Sequence, residues 1–103
     1  MAEALVEADR DNAEAHELLG WMQFLTGSPE EAEAHLRQAI ELTPESVSAT
    51  YHLARFLESG SVLDEARSLY QRALELDPNG LYQEEIWQGL QRIEQKAKKT
   101  SGG

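Results

Sequence analysis

The chain contains no cysteine. Disulfides and thiolate metal sites are therefore excluded, and the redox compartment cannot be read from the sequence. Cations are scarce, with 9 lysines and arginines against 19 acids and a net charge of −10. A surface this acidic repels phosphate backbones, so no nucleic-acid partner is expected. No apolar run approaches the ~20 residues that span a bilayer, so no membrane partner is expected either. A basic segment followed by an apolar core is also missing, and no signal peptide is expected. There is no Gly-rich phosphate loop, no HExxH and no serine with a plausible base and orienter. Neither catalysis nor a cofactor is expected from such a chain.

What the chain does have is 41% hydrophobic residues in 103 positions, enough for one domain with a modest core. Its charge is uneven. Residues 1–50 carry eleven acids against Arg10 and Arg37, a balance of −9. From Gln91 onward Arg92, Lys96, Lys98 and Lys99 face only Glu94, a balance of +3.

It also repeats itself. The stretch Ala13–Pro44, moved along by 34 residues, lies over Val47–Pro78. Leu19 falls on Leu53, Gly20 on Ala54, Glu31 on Glu65 and Ala32 on Ala66. Leu36 falls on Tyr70, Ala39 on Ala73, Leu42 on Leu76 and Pro44 on Pro78. Apolar and small residues recur at a helical period, and proline stops both copies at one place. Self-similarity at this period predicts a solenoid of helix pairs.

Local signals divide the copies into helices. Residues 1–12 read as the end of a helix followed by a turn, with Leu5, Val6 and Ala8 at the positions of Ala39, Ile40 and Leu42. Arg10 replaces the stop proline, and the period puts the start of that helix before Met1, so the chain is expected to begin inside a repeat. The first helix of repeat one is expected over 13–26, capped by Asn12, with a core face of Ala15, Leu19, Met22 and Thr26 flanked by His16, Gly20 and Gln23. Gly27 stops it. Ser28, Pro29 and Glu31 predict a capping box opening a helix that runs to Leu42. Ser46 caps the next helix, about 47–58, which Gly60 ends, and Ser61 with Asp64 predicts a second capping box for a helix to Leu76. After a turn at Asp77-Pro78-Asn79-Gly80, a last helix over 81–98 shows Tyr82, Ile86, Leu90, Ile93 and Ala97 on one face. Residues 99–103 are expected to be disordered.

The aligned positions resemble the tetratricopeptide repeat. Leu19-Gly20, Ala32, Ala39 and Pro44 match its pattern in the first copy, and Leu53-Ala54, Ala66, Tyr70, Ala73 and Pro78 in the second. Small residues are needed where the paired helices cross closely. His16, Thr50, Gln23, Leu57 and Leu36 depart from it, standing where the pattern asks for aromatics. The resemblance implies an all-α right-handed superhelical solenoid in a single domain, 1–98. Within it, 1–12 is a partial repeat, 13–46 and 47–80 are full repeats, and 81–98 is a capping helix.

Proteins of this kind are binding modules without catalysis, and a partner lies in the concave groove lined by the first helix of each pair. The resemblance places Glu14, Glu17, Trp21, Phe24 and Leu25 on that groove from the first repeat. Ser48, Tyr51, Arg55, Glu58 and Ser59 follow from the second, and Tyr82, Glu85 and Gly89 from the last helix. Trp21 and Phe24 lie opposite Leu19 and Met22 on the helix. They either floor the groove or pack internally, Phe24 between the two repeats and Trp21 against the N-terminal half-helix.

Some relatives clamp the C-terminal carboxylates of chaperones with Lys, Asn, Asn, Lys and Arg. Here those positions hold Glu17, Trp21, Arg55, Tyr82 and Ile86. No chaperone-tail binding is expected. The mixture of aromatics and acids favours an apolar or basic protein segment instead. His16, His35 and His52 fall at three different repeat positions with no i,i+4 partner, which reads as packing or exposure rather than metal ligation. A second reading is a structural spacer or assembly element acting end to end, with a weak homodimer through Leu5 and Val6 at the N-terminal end.

Overall fold

The structure, a computed structural model, describes the backbone of residues 2–77 and 79–102 and the side chains of 12–77 and 79–98. The described residues form five helices in succession: α1 Ala2–Thr26, α2 Pro29–Leu42, α3 Val47–Ser59, α4 Leu63–Leu76 and α5 Gln83–Gly102. α1 packs on α2, α3 on α4, and α5 on α4, while α2 meets α3 across the repeat boundary. α3 touches all four other helices. The body is 58 × 32 × 17 Å, about two helices deep.

The repeat signature sits where the pairs cross. Gly20 is buried against α2, and a Cβ there would lie 2.9 Å from Leu36 Cγ and 3.0 Å from the Ala32 carbonyl oxygen. Ala32, Leu36 and Ala39 on α2, and Ala54, Ala66, Tyr70 and Ala73 in the second pair, are fully enclosed. Ile86 and Ile93 carry the same core into α5. Gly89 lies beneath the ring of Tyr70, where a Cβ would run into Cζ. The groove position expected for Gly89 is therefore a packing position. It lets α5 approach α4 with only a ring between them.

Helix ends follow their caps, with corrections. Gly27 takes φ +90 after α1, and the Ser28 and Gly27 amides donate to the carbonyls of Gln23 and Phe24. That is the Schellman pattern. One period on, the Val62 and Ser61 amides donate to Leu57 and Glu58 in the same way. The left-handed residue there is Ser61, at φ 64, rather than Gly60. Neither expected capping box forms. The Ser28 side chain accepts no cap bond, and Glu31 accepts from Gln23 Nε2 instead. α4 begins after Val62, with Ser61 in the αL position one residue before that cap, so its hydroxyl makes no capping bond to Asp64. Ser46 does cap α3, accepting from the Ala49 amide at 3.2 Å. Asp77 accepts from the amides of Leu81 and Tyr82, which braces the turn into α5. Pro78 and Gly103 lie outside the described residues.

Two boundaries differ from expectation. α1 is one helix from Ala2, so Asn12 is interior and no turn separates 1–12 from 13–26. Pro44 ends α2, but Arg10 keeps its amide and leaves φ free, so nothing forces a break. At the other end α5 continues to Gly102 rather than fraying at Lys98. The side chains of Leu5 and Val6 lie outside the described ones.

The uninterrupted α1 also changes which face is the core. Ala13 and Gly20 are buried, with His16, Glu17, Trp21, Gln23 and Phe24 half-buried beside them. Ala15, Leu19, Met22 and Thr26, the expected core face, are exposed. That face would meet a helix folded back from residues 1–12, and those residues instead run on along the α1 axis.

Candidate partner groove

The first helices of successive pairs, α1 and α3, lie side by side and the Tyr82 turn leads into α5 next to them. Their contacts recur at an offset of 31 residues, about one helical turn short of the repeat period. Glu17 meets Ser48, Trp21 meets His52 and Tyr51 meets Tyr82 at this spacing.

These contacts build a row of rings across the three segments. Trp21 and His52 have centroids 4.5 Å apart, His52 and Tyr51 5.6 Å, and Tyr51 and Tyr82 5.3 Å. Phe24 stands beside Trp21 and meets Phe56 edge to face at 5.6 Å. The internal-packing alternative thus describes Phe24, bridging α1 and α3. Trp21 packs over His52 rather than against the N-terminal half-helix, and stays half-exposed.

Acids border the row at one end. Glu14 and Glu17 line an open cavity of about 590 Å³ with Ala13, Ala39, Leu42 and Ser48. Glu17 accepts from the Ser48 hydroxyl at 3.0 Å, and His52 Nδ1 lies 2.7 Å from its other oxygen. A carboxylate at that distance fixes the proton on Nδ1. Burial, followed by the negative charges of Glu17 and Glu85, pushes the Tyr82 phenol above its ordinary range. Glu17 and Glu85 thus both place negative charge near the Tyr82 end of the row. Arg55 is turned inward, donating to the Tyr51 hydroxyl at 3.0 Å with its guanidinium 6.0 Å from that ring's centroid.

The expected site residues do not all join this surface. Glu14, Glu17, Trp21, Tyr82 and Glu85 have accessible side chains around it. Tyr51 is 7% exposed and supports the row from below. Glu58, 4% exposed, is a correction: it faces inward. Its carboxylate accepts from Tyr70 Oη at 2.7 Å and from Arg92 at 2.7 and 3.0 Å, with Lys96 Nζ at 3.3 Å. Burial would raise the Glu58 carboxyl, but the bonds from Arg92, Tyr70 and Lys96 outweigh it and hold the group at about 2. The Tyr70 phenol is pushed up by burial and by Glu58. This network ties α3, α4 and α5 together and is structural.

His52 is the ring that sequence reasoning missed as part of the row. The sequence carries no signal for it, because the repeat gives a 34-residue period and the 31-residue offset arises only from how the helices stack. Among the described residues no group of three or more His, Asp or Glu side chains is arranged to hold a metal ion. No helix among them is long and apolar enough to cross a membrane.

The tetratricopeptide repeat family model matches residues 1–46 and again 26–80. The chain belongs to the tetratricopeptide repeat family. Repeats of this family are generally protein–protein interaction modules, and the family is typically non-catalytic. A comparison with curated proteins gives no match. Within the tetratricopeptide frame, the row of rings occupies the positions at which successive first helices adjoin. The chaperone-clamp positions hold Glu17, Trp21, Arg55, Tyr82 and Ile86, the last of these wholly buried.

Proposed function

We propose that this tetratricopeptide domain is a non-catalytic module whose groove holds an apolar or basic segment of a partner protein. The observation that carries this reading is the ring row Trp21–His52–Tyr51–Tyr82 bordered by the carboxylates of Glu14, Glu17 and Glu85. Apolar side chains of a ligand would lie on the rings, and a lysine or arginine would enter the cavity beside Glu14 and Glu17. Charge here steers and selects more than it holds, so affinity should fall as salt rises.

The test is a pull-down from lysate of the source organism with the wild-type chain and a Trp21→Ala, Glu14→Lys bait. Circular dichroism first establishes that both fold alike. A partner kept by the wild type, lost by the variant, and displaced by a leucine–lysine peptide but not a leucine–glutamate peptide supports the groove. A partner retained equally by both baits overturns it.

A further inference from the structure

The carboxylate of Glu17 has both oxygens committed inside the chain. One accepts from the Ser48 hydroxyl at 3.0 Å, and the other faces His52 Nδ1 at 2.7 Å. The Ser48 hydroxyl also meets the Tyr82 phenol. Only 14% of the Glu17 side chain is exposed. Its charge therefore acts first on its neighbours.

His52 is what this arrangement leaves open. A carboxylate only accepts, so the short contact puts the ring proton on Nδ1 and leaves Nε2 with a bare lone pair. Nε2 has no hydrogen-bond partner among the described residues, and it is not one of their buried unpaired atoms. With 22% of its side chain exposed, His52 presents this nitrogen to solvent. The two ring nitrogens point apart, so the lone pair is aimed away from Glu17. Trp21 lies over the ring at 4.5 Å and Tyr51 flanks it at 5.6 Å, which holds the imidazole in place.

The surroundings select the donor that fits there. Glu14, Glu17 and Glu85 border the row, and the whole chain carries −10. A charged donor is drawn to this surface more strongly than a neutral one. Arg55 does not fill the place, because it donates to the Tyr51 hydroxyl.

We propose that Glu17 is a positioning residue that keeps His52 Nε2 open as the acceptor for an ammonium or guanidinium N–H of the partner segment. This rests on the groove reading above and adds a chemical requirement to it: the cation must carry an N–H.

The probes are two labelled leucine–serine peptides, identical except that the single lysine of one is trimethylated. Trimethylation keeps the charge and the attraction to the rings but removes every N–H donor of the side chain. Fluorescence anisotropy with the full chain should show the lysine peptide binding at least about tenfold tighter than its trimethylated twin. His52→Phe keeps a ring in the row and removes Nε2, so it should bind both peptides equally. Glu17→Met should lose the preference too, because the Nδ1 proton then has no acceptor. Glu14→Gln removes a charge without touching His52, so it should weaken both peptides and keep their ratio. Without any ligand, long-range proton–nitrogen NMR at about pH 8 should show wild-type His52 protonated on Nδ1 and bare on Nε2, a pattern that Glu17→Met loses.

Equal or tighter binding of the trimethylated peptide by the wild type, or a protonated Nε2 in its spectrum, overturns the inference and leaves the groove reading standing. A lysine preference that survives His52→Phe overturns it as well, since the acceptor would then lie elsewhere. Failure of both peptides to bind overturns the inference and the groove reading together. The wild-type measurements decide the matter even where a variant fails to fold.

Discussion

Acid should act on this fold first through Glu58. Its carboxyl sits at about 2 in the folded chain against 4.5 for a free glutamate side chain. The folded state therefore binds this proton less tightly than the unfolded one. The stabilisation is complete above pH 4.5, drains away as the pH falls from 4.5 towards 2, and is gone below that. At about 1.4 kcal/mol per pH unit, the gap amounts to about 3 kcal/mol. Arg92 is 39% exposed, and solvent screening makes this an upper figure. For a small domain with a total stability of roughly 5–15 kcal/mol, it is still a large share.

The assay is urea unfolding followed by circular dichroism, at steps from pH 7 to pH 2.5, for the wild type and Glu58→Gln. Glutamine keeps the shape and can still accept from Tyr70, so the variant isolates the charge. At pH 7 it should be less stable by about 2–3 kcal/mol, the cost of leaving Arg92 without its partner in a partly wet site. The two curves should converge towards pH 2.5. The ion pair of Arg37 with Glu65, which also lowers a carboxyl, is present in both proteins and cancels in the difference. A difference that stays constant from pH 7 to pH 2.5 would refute the reasoning.

Other substitutions probe the backbone and the packing. Ser61→Gly should raise stability by about 1 kcal/mol in urea melts, because Ser61 holds φ 64 in the place where the first repeat has Gly27. Gly89→Ala should lower the midpoint by the equivalent of about 1–2 kcal/mol despite its better helix propensity, since the new methyl meets the Tyr70 ring.

The fold was legible because the repeat carries its own register. Leu36 and Tyr70, Ala39 and Ala73, and the stop prolines point to the same pairing of helices without any outside information. What the repeat did not show is how an end behaves. Helical spacing alone makes Ala15, Leu19, Met22 and Thr26 a core face, and such a face is buried only where a helix lies on its far side. Because residues 2–12 continue α1, no helix from them folds back over that side, and the face is exposed.

The site was legible in outline and wrong in one place for a physical reason. The period alone puts Glu58 on the groove. Arg92 stands at the same position one period later, 34 residues on, and opposite charges at equivalent places on adjoining helices find each other. That pairing, with Tyr70 reaching across from α4, draws the carboxylate inward. The two capping boxes fail for different reasons: Glu31 has a partner on another helix in Gln23, whereas Ser61 is taken up by the left-handed C-terminal turn of α3 and α4 starts one residue later.

The position of α3, in contact with every other helix, has a consequence for cooperativity. In a chain of stacked pairs, each unit is coupled only to its neighbours, and the ends can open without the middle. Here coupling between the acidic N-terminal pair and α5 passes through one thirteen-residue segment. Opening of α1 leaves the α3–α4–α5 core and its Glu58 network standing, so it is a local event. Opening of α3 disconnects both ends at once and is equivalent to global unfolding. The amides of α3 should therefore exchange only at the global rate, and those of α1 faster.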